Sequence, residues 1–185
     1  MEEAEQMKPN VHIVSYTHWD REFRWEFEHT RMKFVECMDH LLEIMREKPD
    51  YKSFLLDGQV GLLDDYLEIR PEVEEEIRGL IDQQKLEIGP WYSLPDCATI
   101  HGESVIRNLQ HGVHVSESYG SVLKCGYNVF SFGQIAQLPQ IYKHFGIDII
   151  IFYKYMNPVR SELPEFVWEA PDGTQVFASR LGREA

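Results

Sequence analysis

The chain has 185 residues, and its 31 Asp and Glu against 18 Lys and Arg give a formal net charge of −13 at pH 7. A hydrophobic share of 43% excludes a disordered chain, and the excess of acids argues against a protein that binds nucleic-acid phosphates. No window approaches the roughly 20 apolar residues of a membrane span, and the acidic start does not resemble a signal peptide, so we expect a cytoplasmic protein. Three cysteines far apart suggest neither a disulfide framework nor a zinc ribbon.

The first half of the chain is predicted to alternate strands with helices. Residues 11–17 are β-branched and apolar without strict alternation, which predicts a strand covered on both faces. Apolar residues recur every three or four positions across 28–48, which predicts an amphipathic helix. Residues 53–58 predict a second strand. Residues 62–80 predict helical segments divided at Pro71, because proline can begin a helix but cannot continue one.

The second half continues the alternation. Residues 85–92 predict a third strand, residues 102–120 a helix and residues 137–145 a short helix. The run 148–153 predicts another strand, and 166–181 predicts two strands on either side of a Pro-Asp-Gly turn. We therefore expect an α/β domain over residues 1–185 without an internal boundary, with parallel strands and a functional site at their C-terminal ends.

The strongest chemical signal follows the first predicted strand. In an extended chain, residues two apart point to the same side, so His18 and Asp20 would direct an imidazole and a carboxylate to one point. Zinc accepts both ligand types, so this pair is a candidate metal-site fragment. Spacing alone equally allows these two residues to cap the following loop.

Residue types suited to sugars lie near the other predicted strand ends. Carbohydrate sites combine aromatic rings that stack on sugar C–H groups with carboxylates that bond to hydroxyls. The candidates are Trp19, Trp91, Tyr92, Asp57 and Asp96. Core packing is the alternative for the last two aromatic residues of that set, because large aromatic side chains are usually well buried.

Several ordered motifs resemble those of glycoside hydrolase family 38, the retaining α-mannosidases. The segment VHIVSYTHWDREF is similar to the first strand of that family, whose motif is His-Thr-His-Trp-Asp-Arg-Glu-Trp. Further motifs follow in family order along nearly the whole chain: LDGQ (56–59), IGPWYSLPD (88–96), GESVIRNL (102–109), SFGQIAQLPQI (131–141) and WEAPDGTQV (168–176). Agreement at so many ordered points identifies the chain as similar to the N-terminal catalytic portion of this family.

The resemblance implies a fold, a cofactor and a substrate. The fold would be a partial (β/α)7-type barrel of the glycoside hydrolase and deacetylase kind, and the substrate a mannoside or other carbohydrate. His18 and Asp20 match the positions of two zinc ligands, with a third from the catalytic nucleophile and a fourth from a distant His. Zinc in such a site acts mainly as a template for the sugar. With two ligands, we expect weak or absent zinc in this chain.

The chain departs from the family pattern at positions assigned to the pocket. Aligning Gly126-Tyr127 and Ser131-Phe132-Gly133 places the family's nucleophilic Asp on Phe130, which can neither form the glycosyl ester nor bind zinc. No catalytic residue is therefore assigned. Other departures are Tyr16 for His, Phe23 for a substrate-binding Trp, Cys97 for Glu, Gln134 for His and Lys154 for Arg.

The resemblance also implies that residues beyond position 185 are needed for activity. The family's acid/base carboxylate and last zinc ligand lie further along its chains. An open barrel would leave an unpaired edge strand. We therefore expect a fragment, a short gene product or a homo-oligomer that covers this edge.

Three functions remain from the sequence. The first is an α-mannosidase-like protein of mannose metabolism in which this chain is impaired or inactive. The second is a non-catalytic carbohydrate-binding or regulatory module. The third is a zinc-dependent, deacetylase-like hydrolase, which would need further His ligands near His18. The remaining candidates match no ligand spacing: His101, His111, His114 and His144.

Overall fold

The computed structural model describes residues 11–129, 131–154 and 163–181. The helices are α1 (Phe27–Glu47), α2 (Gly61–Leu67), α3 (Glu74–Asp82), α4 (Gly102–Tyr119) and α5 (Leu138–His144), with a 3-10 turn at Pro71–Val73. The strands are β1 (Ser15–Thr17), β2 (Phe54–Leu56), β3 (Leu86–Glu87), β4 (Gly126–Asn128), β5 (Ile149–Phe152), β6 (Glu165–Glu169) and β7 (Gln175–Arg180).

The strands form two sheets. The first has the order β1-β2-β3 and is entirely parallel. The second has the order β4-β5-β7-β6, with β4, β5 and β7 parallel and β6 antiparallel to β7. The predicted α/β class with parallel strands is confirmed. A barrel is not confirmed, since within the described residues neither sheet closes on itself.

The first strand differs from its prediction. Only Ser15–Thr17 pair with a neighbour, and Val11, Ile13 and Val14 are between 64% and 88% exposed. The predicted burial of 11–17 on both faces is therefore wrong, since none of these residues is buried and Tyr16, within the paired part, is 46% exposed. The physical reason is that β1 lies at the edge of its sheet, where β2 is its single partner among the described residues. That a second copy covers this edge stays a prediction.

The long periodic elements were predicted well. Helix α1 begins and ends within one residue of its prediction, and the division of the next helices at Pro71 is confirmed. The hairpin of β6 and β7 lies where the Pro-Asp-Gly turn predicted it. Strand β3 is much shorter than its prediction, and β4 was not predicted as a strand.

Two clusters of buried residues form the core. The first lies under the parallel sheet β1-β2-β3 and takes Phe34, Met38 and Leu42 from α1. The second lies under the other sheet and includes Trp91 and Tyr142. No helix in the described part of the chain is both long and apolar enough to cross a membrane.

Candidate functional site

Polar side chains gather where the parallel strands of the first sheet end. His18 directly follows β1, and Asp57 and Gln59 follow β2. The ladder extends past β3, because Gln59 forms an isolated parallel bridge with Trp91. Carboxyl ends of parallel strands meet at the same edge of a sheet. These residues therefore lie at the C-terminal ends of the strands, where the sequence predicted a functional site.

His18 stands between two carboxylates. Its Nδ1 lies 3.2 Å from Oδ1 of Asp57, and its Nε2 lies 3.3 Å from Oδ1 of Asp20. The His18 side chain is 31% exposed and that of Asp20 is 51% exposed, so both are open to solvent on the cleft side. The imidazole contacts side-chain carboxylates through both of its nitrogens, and metal binding by His18 and Asp20 stays a prediction beside the loop-capping alternative.

Asp57 is buried and held by several hydrogen bonds. It has no exposed surface, and its Oδ2 accepts hydrogen bonds from the backbone N–H of Trp19 at 2.8 Å and from Nε2 of Gln59 at 2.8 Å. Its backbone has φ of +45°, a left-handed conformation that is uncommon for a residue with a side chain. Desolvation raises the pKa of this carboxyl group, although its hydrogen bonds with His18, Trp19 and Gln59 act in the opposite direction.

The two carboxylates also set the charge of His18. Burial alone would lower the pKa of this imidazole, but its hydrogen bond with Asp57, together with the negative charges of Asp57 and Asp20, raises the pKa above its ordinary value. A raised pKa makes the protonated form more populated than in an isolated histidine at the same pH. A metal ion at Nε2 would have to displace that proton.

Gln59 links the three strand-end loops. Its Nε2 donates to the backbone carbonyl of Trp19 at 2.9 Å as well as to Asp57, and its Oε1 accepts from the N–H of Leu94 at 3.2 Å. Every polar atom of this buried amide therefore has a partner. The sequence predicted no role for Gln59, although it belongs to the LDGQ motif. Its position two residues after Asp57 is the signal that could have identified it.

Helix α4 fixes the loop that follows β3. The side chain of Asn108 accepts hydrogen bonds from the N–H groups of Tyr92 and Ser93, at 3.1 and 3.0 Å, and donates to the carbonyl of Ser93 at 2.6 Å. Gly112 lies one turn later, against the backbone of the same loop. Sequence analysis had placed both residues on a predicted helix without recognising this contact.

An open cleft of about 360 Å³ lies beside His18 and Asp20. Apart from Thr30, its remaining walls are aromatic and basic, from Trp19, Phe23, Arg24, Trp25 and Lys33. Trp19 packs against Phe34 of α1 with ring centroids 5.1 Å apart, which fixes one wall to the core. The cleft is large enough for one hexose ring.

The two residues predicted to bind zinc lie next to each other at the cleft. His18 and Asp20 converge on one point, and the buried Asp57 orients the imidazole from behind, which is the arrangement that protein metal sites use. Among the described residues, no group of three or more His, Cys, Asp or Glu side chains is placed so that it could hold a metal ion. The residues present thus fit two positions of a coordination sphere that usually has three or four protein ligands.

The predicted aromatic residues divide between cleft and core. Trp19 and Phe23 line the cleft, and Phe23 is 75% exposed. Trp91 has no exposed surface, and its Nε1 donates to the carbonyl of Tyr127 and to the hydroxyl of Tyr142. It is therefore located in the second core cluster, as its core-packing alternative predicted. Tyr92 is partly buried, with its ring 4.4 Å from that of His111.

The predicted carboxylates also occupy different environments. Asp57, expected to bond to sugar hydroxyls, instead lies behind His18 with no surface that a sugar could reach. Asp96 is partly buried, and its Oδ1 is a buried atom for which the described residues provide no hydrogen-bond partner. Neither residue lines the cleft. Phe130, the residue at the predicted nucleophile position, lies outside the described residues.

The remaining histidines do not approach His18 as a ligand group. His101 caps the N-terminus of α4, where its ring accepts from the N–H of Glu103, and His111 and His114 lie within that helix. His144 is in the last turn of α5. The deacetylase-like alternative therefore finds no additional ligands among the described residues.

Comparison with known proteins gives one consistent result. Residues 8–183 match the family model described as "Glycosyl hydrolases family 38 N-terminal domain". A protein of Halalkalibacterium halodurans named "Putative mannosylglycerate hydrolase" is 40% identical over 95% of this chain. An alpha-mannosidase of Saccharomyces cerevisiae is 27% identical over 93% of it.

Solved structures agree with the sequence comparisons. The crystal structure of an alpha-mannosidase from Enterococcus faecalis V583 superimposes with a TM-score of 0.85 at 35% identity, covering 91% of this chain. The chain spans 21% of the Halalkalibacterium protein, 16% of the yeast protein and 19% of the Enterococcus chain. It thus corresponds to less than a quarter of the length of each relative.

Proposed function

Because the chain belongs to glycosyl hydrolases family 38, to whose N-terminal domain it corresponds, we propose that its cleft recognises the sugar of an α-mannoside. His18 and Asp20 are the zinc ligands of this site, and Trp19 and Phe23 are its aromatic walls. The chain itself does not hydrolyse the glycosidic bond. The parent activity is retaining hydrolysis of terminal α-mannosides.

The observation that carries the proposal is the pair His18 and Asp20 at a cleft, supported by a carboxylate with no exposed surface. A buried Asp57 bonded to Nδ1 leaves Nε2 as the imidazole atom that faces Asp20 and the cleft. When zinc is bound, it supplies a positive centre that can orient sugar hydroxyls. Asp57 then acts by fixing the ring, since its own oxygens are already bonded.

The proposed lack of hydrolysis depends on position 130. A retaining glycosidase uses two carboxyl groups about 5–5.5 Å apart, one of which attacks the anomeric carbon. The resemblance assigns the attacking position to Phe130, whose ring has no nucleophilic atom. A neighbouring residue does not replace it, because the Asn128 amide is a poor nucleophile and is bonded to Gln134 at 2.6 Å.

Hydrolysis is tested with 4-nitrophenyl α-mannoside and the purified chain, with and without added zinc. We expect no nitrophenol above the rate of the Asp20→Asn variant. Release that this substitution abolishes would refute the proposed lack of activity. Binding is tested separately with methyl α-mannoside followed by NMR, where Trp19 and His18 signals should shift at millimolar sugar and those of α3 should not.

Zinc is tested by elemental analysis after dialysis. Two protein ligands should leave clearly less than one equivalent bound. A full equivalent that is lost in His18→Ala would contradict this expectation and would mean that a third ligand exists outside the described pair. Phe130→Asp is the informative gain-of-function variant, since the family's nucleophile is also a ligand and its restoration should strengthen zinc retention.

A further inference from the structure

The segment that follows β1 faces two ways. His18 and Asp20 line the cleft, whereas Trp19 and Arg21 line a second, much smaller space of about 10 Å³ that is enclosed against α1 and α2. Alternate side chains of an extended segment point to opposite sides, which accounts for this division. The two residues on the inner side therefore hold the backbone from which the two cleft residues project.

Trp19 fixes the backbone before Asp20. Its N–H donates to Oδ2 of Asp57 at 2.8 Å, and its carbonyl accepts from Nε2 of Gln59 at 2.9 Å. These contacts leave open the direction of Asp20, whose side chain is 51% exposed and contacts Nε2 of His18 at 3.3 Å on the cleft side. That direction therefore also depends on the residue that follows Asp20.

Arg21 ties the backbone after Asp20 to α2. Its Nε donates to Oδ2 of Asp65 at 2.7 Å, and its Nη2 donates to Oδ1 of the same carboxylate at 2.8 Å. This fork of two parallel hydrogen bonds is the strong form of an arginine–carboxylate pair. The side chains are 35% and 13% exposed, so the fork is better shielded from water than the similar one between Arg46 and Glu76.

Asp65 is itself held in place by α1. Its backbone carbonyl accepts a hydrogen bond from Nε of Arg31 at 3.0 Å, and Nη2 of Arg31 binds Glu68 at 2.7 Å. The ring of Phe27 lies 4.9 Å from the guanidinium of Arg21 and 5.8 Å from that of Arg31. The enclosed space beside these groups is at the lower limit for one water molecule, so the Arg21 guanidinium has no room to shift inwards.

We propose that Arg21 is a positioning residue of the site, whose fork on Asp65 holds the Asp20 carboxylate at the cleft, opposite Nε2 of His18. The inference rests on the proposed function, in which His18 and Asp20 are the metal ligands. Arg21 does not line the cleft and acts only through Asp20. Lysine cannot replace it, because an ammonium group does not form the two parallel hydrogen bonds of the guanidinium.

The experiment is a zinc titration of the whole chain, followed through the NMR signals of the His18 ring. Arg21→Lys keeps the charge and removes the fork. We expect zinc affinity to fall about tenfold, the lower end of the loss that is usual when a residue supporting a metal ligand is replaced. Asp65→Asn weakens the same fork from its other side and should cause a similar loss.

Arg46→Lys is the matched control. The substitution is chemically identical, and it removes the exposed fork between Arg46 and Glu76, neither of which lines the cleft. Zinc affinity should stay as in the wild type. Equal losses in Arg21→Lys and Arg46→Lys would contradict a specific role of Arg21.

The Asp20→Asn background separates positioning from general stability. If Arg21 acts through Asp20, Arg21→Lys should cause no further loss of zinc affinity once the Asp20 carboxylate is absent. A role in stability alone would lower the affinity by the same factor in both backgrounds, or in neither, and either result refutes the proposal. If Arg21→Lys does not fold, Asp65→Asn carries the same comparison.

Failure of this proposal is distinguishable from failure of the proposed function. If zinc shifts the His18 signals of the wild type and Arg21→Lys binds zinc as tightly, the positioning role is wrong and the proposed function stands. If millimolar zinc leaves the His18 signals of the wild type unchanged, His18 is not a metal ligand. Both the proposed metal site and the role of Arg21 are then overturned.

Discussion

Nδ1 of His18 lies 3.2 Å from a carboxylate of Asp57 that has no exposed surface, although the two residues are 39 positions apart in the chain. This contact joins the ends of β1 and β2 and fixes which nitrogen of the imidazole faces the cleft. It depends on the left-handed backbone at Asp57 and on Gln59, which bonds to the same carboxylate. The first sheet thus positions the site through one buried acid.

Replacing Asp57 should destabilise the fold. Asp57→Ala leaves the backbone N–H of Trp19 and one N–H of the buried Gln59 amide without an acceptor, and unpaired buried groups cost about 1–3 kcal/mol each. We expect the free energy of unfolding to fall by about 2–4 kcal/mol, measured by urea denaturation. Asp57→Asn should lower the free energy of unfolding by less, because the amide keeps one oxygen that can accept a hydrogen bond.

Asp148→Asn is the matched control for that experiment. Its carboxylate is 66% exposed and pairs with Lys143 on the surface, so its loss should change the free energy of unfolding by less than about 1 kcal/mol. Equal losses in the Asp57 and Asp148 variants would show that Asp57 does not hold the strand ends together.

Asp39 should make the stability depend on pH in the acid range. The hydrogen bond from Arg70, assisted by one from the hydroxyl of Tyr66, lowers the pKa of Asp39 below its ordinary 3.8 despite some desolvation. A lowered pKa contributes stability that is present above 3.8 and is lost as pH falls through the folded-state value.

The Asp39→Asn variant tests this sign. Its stability deficit relative to the wild type, measured by urea denaturation, should be largest near neutral pH and should vanish in strong acid. The deficit should be modest and should decrease with salt, because the side chains of Asp39 and Arg70 are 40% and 39% exposed. A deficit that stays constant from neutral pH to about pH 2 would contradict the assignment.

Cys97 should be an inert thiol in the folded protein. Burial raises its pKa to about 11, with a further contribution from the charge of Asp96, and the residue is 3% exposed. At about pH 8 its thiolate population is reduced roughly a hundredfold relative to an ordinary cysteine. Labelling with Ellman's reagent should therefore proceed in urea but hardly at all under native conditions. Cys97→Ala provides the control, and fast native labelling that this variant abolishes would contradict the burial.

The sequence predicted elements whose own pattern is strong. Helix α1 has apolar residues at helical spacing over 21 residues, and the β6-β7 hairpin has a turn tripeptide between β-prone arms. Strand β4, with the sequence Gly-Tyr-Asn, has no such pattern. It is a strand because β5 pairs with it and because Gly126 allows the Tyr142 ring to approach, where a Cβ would be 2.7 Å from that ring.

The same distinction applies to the site. Residues adjacent in sequence to a strand end, such as His18 and Asp20, were identified because period-two spacing determines their direction. The direction of Trp91 and the burial of Asp57 depend on contacts with residues distant in sequence, Tyr142 for the first and His18 and Trp19 for the second. At Trp91 and Asp57, the sequence identifies the residue type but does not predict whether the side chain points into the cleft or into the core.

Gly112 should be the most sensitive glycine of the helices. An added Cβ would lie 2.2 Å from the backbone carbon of Trp91 and 2.2 Å from the backbone nitrogen of Tyr92, and neither atom can move without displacing the loop after β3. Gly112→Ala should therefore separate α4 from that loop and weaken the Asn108 hydrogen bonds. We expect a loss of about 3 kcal/mol or more in urea denaturation, at the upper end of overpacking costs.

Gly79→Ala distinguishes this close approach from ordinary helix propensity. Gly79 lies inside α3, and its added Cβ would meet nothing nearer than the flexible end of Gln83 at 3.9 Å. Alanine is the better helix former, so this variant should gain about 0.5–1 kcal/mol. The two substitutions are chemically identical and should have opposite signs. If both stabilise, α4 does not pack closely against the loop after β3 at Gly112.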